Sequence, residues 1–156
     1  MKFDASNWII IKSHPSDISI SQNQYTVFEL YNILKDGYIV FPEDTNCLDN
    51  VQRSMIIENI LIGITMMPIY ISPLNVDGIW KVFEGGTILK TIRDFIDNQI
   101  ELTLLEFFSE YNGCRLNSLP NFLYRKLHEA KFTVYSISPS VPPLVRDSIV
   151  RRILKS

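Results

Sequence analysis

The stretch Lys81-Val82-Phe83-Glu84-Gly85-Gly86-Thr87-Ile88-Leu89-Lys90-Thr91-Ile92-Arg93-Asp94-Phe95 constrains the fold more than any other part of the chain. Ile79, Trp80, Val82 and Phe83 have the aromatic and β-branched character of a strand. Glu84-Gly85-Gly86 then breaks the pattern at residues able to take positive φ. Thr87 reads as an N-cap, and Ile88, Leu89, Ile92, Phe95 and Ile96 recur at helical spacing up to Asp97-Asn98-Gln99. A strand, a glycine turn and a helix can hold an anion on the free N–H groups of the helix start. They can equally be a tight connection between core elements. No Lys or Arg follows in the Walker position, so the stretch is not a P-loop.

The rest of the chain supplies partners for this unit. Trp8–Lys12 reads as a strand and Ser13–Gln24 as a polar loop. Thr26 and Glu29 form a Thr-x-x-Glu capping box for a helix with Val27, Leu30, Tyr31 and Leu34 on one face, stopped at Asp36-Gly37. Tyr38–Phe41 is a short strand and Glu43–Asn50 a turn-rich segment. A helix follows over Asn50–Leu61 with Met55, Ile56, Ile60 and Leu61 inward, ended by Gly63. Met67–Ile71 is a strand, and Pro73–Gly78 turns back toward Trp80. Downstream come a short strand over Ile100–Leu102, a short helix over Leu104–Tyr111 and a turn at Asn112-Gly113. Pro120 opens a helix over Phe122–Ala130, Lys131–Ile137 alternates as a strand, and Leu144–Leu154 is a basic helix beyond Pro139, Pro142 and Pro143. The expectation is a mixed α/β domain over 1–137, with a small mixed sheet flanked by helices, then a proline-containing linker and helix over 138–156.

Composition narrows function by exclusion. With 156 residues the chain suits one domain. A net charge of -2 provides no global field for binding nucleic acid non-specifically. Cys47 and Cys114 form neither a zinc pattern nor a disulfide framework, which fits a reducing, intracellular compartment. Met1–Asp4 does not begin a signal peptide. The apolar run from Met55 to Ile71 is interrupted by Glu58, Asn59, Gly63 and Pro68, so it reads as a helix and a strand instead of a membrane span. His14 and His128 have no partner at ligand spacing, and no metal or cofactor is expected. Met55, Met66 and Met67 read as core filler.

Arg53-Ser54-Met55-Ile56-Ile57-Glu58-Asn59-Ile60-Leu61-Ile62-Gly63, then Met67-Pro68-Ile69-Tyr70-Ile71, then Glu84-Gly85-Gly86-Thr87-Ile88-Leu89-Lys90-Thr91-Ile92 form a succession with a known counterpart. With Asn112-Gly113, Ser118-Leu119-Pro120 and Arg125-Lys126-Leu127 it resembles the N-terminal domain of GmrSD-type modification-dependent restriction proteins. This is the domain of unknown function 262, of the ParB/sulfiredoxin-like superfamily. The resemblance spans about Tyr25 to Ile137 and implies a ParB-like fold.

It also implies a phosphate-handling centre, and the departures fall there. Glu84 stands where the family has Asp, Gly86 and Thr87 where it has two Gln, and Ile88 where it has Arg. Thr45-Asn46 occupies the place of an upstream Gln-Arg pair, and Leu48 that of a tryptophan. Isoleucine lacks the planar fork that arginine offers phosphate. Glu84, Gly85, Gly86, Thr87 and Lys90 thus read as a vestigial phosphate site with no catalytic residue. Glu58 and Glu84 are a candidate carboxylate pair for acid–base chemistry; the plainer reading has Glu58 facing solvent or capping a local group and Glu84 bracing the turn.

Arg146, Arg151, Arg152 and Lys155 are candidate contacts to nucleic acid or a protein partner, or a solvated helix face. The expected function is a degenerate ParB-like domain acting as an interaction or structural module with a protein partner. By analogy it belongs to a virus or phage, as a virion component or an inhibitor of restriction. The competing expectation is a nucleic-acid or nucleotide binder with residual phosphate handling.

Overall fold

The computed structural model describes residues 18–42, 48–64, 67–74 and 78–155. The elements are β1 (Ile20–Thr26), α1 (Val27–Lys35), β2 (Ile39–Val40), α2 (Asn50–Ile62), β3 (Ile69–Pro73), β4 (Trp80–Glu84), α3 (Gly86–Ile96), α4 (Asn121–Glu129), β5 (Lys131–Ile137) and α5 (Pro143–Lys155). Single 3-10 turns occupy Ser109–Tyr111 and Leu116–Ser118. The sheet runs β1-β5-β3-β4-β2. Its outer pairs are antiparallel β1–β5 and parallel β4–β2, and inside them β5–β3 is parallel and β3–β4 antiparallel. The expected mixed α/β class is therefore the observed one.

Alternation along the strands separates two faces. Ile69 and Ile71 of β3, Val82 of β4 and Phe132 and Val134 of β5 are buried on one face. There they share a core with Val27, Leu30 and Leu34 of α1, Ile57, Ile60 and Leu61 of α2, Leu89, Ile92 and Phe95 of α3, and Leu123 and Leu127 of α4. The other face carries the stacked rings of Tyr70 and Tyr135, 5.0 Å apart, and Phe83. Helix α5 reaches this face through Arg146, whose guanidinium lies 5.9 Å from the Phe83 ring centroid and whose Nη1 stands 3.4 Å from Ser72 Oγ.

Several local rules act as expected. Thr26 Oγ1 accepts from Glu29 N, and Glu29 Oε1 accepts from Thr26 N, so the α1 capping box is complete. Asp49 and Gln52 form a second box at α2. Gly63 ends α2 in the left-handed conformation, φ 91°.

Other expectations fail for identifiable reasons. Ile20–Gln24 is not loop but part of β1: five exposed residues make an edge strand whose order comes from pairing with Lys131–Ile137. An edge strand facing water needs no apolar alternation, which is why the sequence pattern hides it. Tyr38–Phe41 shortens to the two residues of β2. Ile100–Leu102 forms no strand, and Leu104–Tyr111 reduces to the Ser109–Tyr111 turn. In α2, Met55 is 57% exposed, while Ser54, Ile57 and Glu58 are buried. Met67 is 65% exposed, so neither it nor Met55 fills the core. The expected strand at Trp8–Lys12, His14, the Thr45-Asn46 pair, Cys47 and Met66 lie outside the described residues. No helix among the described residues is long and apolar enough to cross a membrane.

Candidate functional site

Strand β4 delivers Glu84 opposite Tyr70 of β3, next to a register shift between Tyr70 and Ile71. The chain then turns at Gly85, with φ 95° and ψ 8°. Two physical demands meet there. A side chain at that φ is strained. A Cβ on Gly85 would also stand 2.9 Å from Ile69 Cγ1 and 3.3 Å from Ile69 Cα. Gly85, not Thr87, is the N-cap residue, and α3 starts two residues earlier than the threonine rule suggests. Thr87 lies inside the first turn. Its carbonyl accepts from Thr91 Oγ1 at 2.7 Å, so threonine chemistry is used along the helix instead of at its cap.

Gly85 and Gly86 are buried and Glu84, Thr87 and Lys90 half-buried. The N–H groups of Gly86, Thr87 and Ile88 have no acceptor within α3, as in any first helical turn. Ile88, at the position where the resemblance expects an arginine, packs against the core. Lys90 turns to an aromatic ring: its Nζ lies 5.0 Å from the centroid of Phe41. The guanidinium of Arg93, one turn on, lies 5.8 Å from the same ring. Arg93 Nε is 3.2 Å from Asp94 Oδ1, and Arg53 Nη1 of α2 is 3.7 Å from Asp94 Oδ2. Three cations thus share one carboxylate and one ring along the middle and last turn of α3, with the Arg53 Nε buried and lacking a hydrogen-bond partner among the described residues. The Lys90–Arg93 spacing shows in the sequence. Phe41 and Arg53 come from other elements, so only the fold assembles the group.

Glu58 lies elsewhere in function. It is 5% exposed, and its carboxylate accepts three backbone N–H groups: Glu106 on Oε1 at 3.0 Å, and Phe107 and Phe108 on Oε2 at 2.9 and 3.0 Å. This corrects the plainer readings of Glu58, which neither faces solvent nor caps a group near it in sequence, and it gives the carboxylate a structural task in place of a partner for Glu84. The same side of α2 repeats the device. Ser54 Oγ accepts from Thr103 N at 3.0 Å, and Asn50 Nδ2 donates to Glu101 O at 2.7 Å. Asn50, Ser54 and Glu58 are four residues apart, one above another on the helix, and together they hold the segment 101–108. The only sequence signal for this is a polar i, i+4, i+8 stripe within an apolar helix.

The basic C-terminal residues differ in burial. Arg146 is half-buried against Phe83 and Ser72, whereas Arg151 and Arg152 are exposed. The Lys155 side chain lies outside the described residues. A cleft of about 290 Å³ is lined by Gln24, Ile60, Gly63 and Lys131 among others, and one of about 430 Å³ by Asn98, Asn117, Asn121 and Tyr124 among others. Neither includes Glu84, Gly85, Gly86, Thr87 or Lys90. Among the described residues no group of three or more His, Cys, Asp or Glu side chains is placed to hold a metal ion. No family model, curated protein or solved structure matches the chain.

Proposed function

We propose that this chain is a protein-interaction or structural module, a degenerate ParB-like domain in which the turn of a phosphate site serves packing. The observation that carries this reading is the fit of Gly85 on Ile69, with its buried neighbour Gly86. A glycine kept for close backbone approach is accounted for without any ligand. Ile88 strengthens the reading, because it spends the arginine position on the core. Phosphoryl transfer requires positive charge or preorganised donors around the phosphate oxygens, and the glycine turn offers only backbone N–H groups. An intracellular setting belongs to the same reading and agrees with the unpaired thiol of Cys114.

One observation favours the second reading, a nucleotide or nucleic-acid binder. Arg53, Lys90 and Arg93 gather around Phe41 and a single Asp94, which is a locally positive surface with an aromatic ring.

The test is a hydrolysis assay with the four common nucleoside triphosphates and plasmid DNA, in magnesium or manganese, comparing the wild type with Glu84→Ala. The expected result is no turnover above background in either protein. Turnover that disappears in Glu84→Ala overturns the degenerate reading. Binding without turnover that weakens with salt and is lost in Lys90→Ala moves the assignment to the second.

A further inference from the structure

The segment from Asp97 to Ser118 is irregular yet closely held. Besides the three bonds to Glu58 and those to Ser54 and Asn50, Leu105 N donates to Asn112 Oδ1 at 2.9 Å, and Leu102 and Cys114 join backbone to backbone at 2.8 Å. Leu102 and Leu105 are buried, and Phe108 packs half-buried on the core and on Tyr111. Between these anchors two large apolar side chains point the other way. Leu104 is 75% exposed and Phe107 65%. Leu104 also takes φ 51°, a conformation that leucine rarely adopts. The hydrogen bonds that fix Thr103, Leu105, Glu106 and Phe107 thus hold an apolar tip out in water.

The charges along this segment limit what covers its tip. Asp97, Glu101, Glu106 and Glu110 are exposed carboxylates along the segment. The segment's single cation, Arg115, lies 3.9 Å from Glu101 and donates to Asn98 O. Two copies meeting tip to tip would bring carboxylate against carboxylate, and an anionic membrane surface would repel the same groups. A pocket with a basic rim matches both the apolar centre and the acidic edge.

Resting on the interaction-module reading above, we propose that Leu104 and Phe107 form a preorganised docking tip. It inserts into an apolar pocket, rimmed by lysine or arginine, on a different protein. Preorganisation lowers the ordering cost of binding, and a buried aromatic flanked by charge is the usual form of an interface anchor.

The experiment places a photoreactive benzophenone side chain at Leu104 of the full chain, with Phe122 of α4, 61% exposed, as the control position. Irradiation is carried out in an extract of the cells that naturally produce the protein, and the adducts are mapped. The expected adduct is to another protein, at an apolar segment bordered by Lys or Arg. Its yield should fall about tenfold or more in a Phe107→Ser background and again when Glu106 and Glu110 are changed to Lys. The thermal midpoint of the Phe107→Ser protein should match the wild type, because the ring is exposed. An adduct to a second copy or to lipid, indifference to either change, or no adduct above the Phe122 control overturns the proposal. A protein adduct at Phe122 alone removes this tip as the docking surface and leaves the interaction-module reading standing.

Discussion

The β4–α3 turn and the segment 97–118 solve opposite problems. The turn joins two regular elements, and its residues point inward: Gly85 against Ile69, Ile88 on the core, Lys90 folded onto Phe41. The segment has little regular structure, and helix α2 holds it from outside through Asn50, Ser54 and Glu58. The residues of the turn go into packing. The segment resembles nothing regular, but it spends hydrogen bonds on keeping Leu104 and Phe107 in water. Backbone order and regular secondary structure are therefore separate properties in this protein, and an irregular region can keep large apolar side chains in water.

The contrast predicts where substitutions hurt. Gly85→Ala should have the largest effect, about 2–6 kcal/mol, since it combines a left-handed residue with overpacking against Ile69. Denaturant unfolding measures it, and an unchanged midpoint would mean that the turn is not pinned by the sheet. Leu61→Ala, at a position 1% exposed, should cost about 2–5 kcal/mol and sets the scale for a purely apolar loss on α2.

Glu58→Ala should cost about 2–4 kcal/mol, because it leaves three N–H groups without their acceptor. It should also act locally. Amide hydrogen exchange at Glu106, Phe107 and Phe108 should accelerate well beyond that of α3. Equal acceleration in both regions would break the distinction between a pinned turn and a stapled segment.

The smallest effect concerns Tyr31, whose hydroxyl donates to Asp97 Oδ1 at 2.5 Å. That hydrogen bond, then burial and the negative charge of Asp97, push the phenol above its usual pKa of 10.0. A phenol raised on folding contributes stability that is present below about pH 10 and is lost as pH rises through the folded value. Tyr31→Phe should remove no more than about 1 kcal/mol near neutrality. The difference between variant and wild type should shrink at alkaline pH. A difference that grows with pH would contradict the assignment.

How much of this was legible beforehand depended on the kind of signal. The capping box at Thr26, the left-handed Gly63, the helix of Ile88 to Ile96 and the strand Lys131–Ile137 follow from local propensity and periodicity, and they stand where the sequence places them. The glycine turn between strand and helix is legible at Glu84–Thr87, although its cap is Gly85 and not Thr87, because a glycine meets the same need by taking positive φ. β1 leaves no local signal because its order comes from a neighbouring strand, and periodicity points Met55 inward although α2 buries a polar stripe and leaves Met55 exposed.

The sequence by itself determined local features: the capping box at Thr26, where glycine bends the chain, and the apolar faces of α1 and α3. Tertiary structure alone decided that Glu58, 48 to 50 residues from its partners, serves the segment Glu106–Phe108. It alone also gathered Phe41, Arg53, Lys90 and Arg93, and aimed Leu104 and Phe107 outward. The reason is physical. Caps and periodicity act within one or two helical turns and leave a mark in neighbouring letters, whereas a carboxylate accepting distant N–H groups depends on a geometry that forms only when the helices pack.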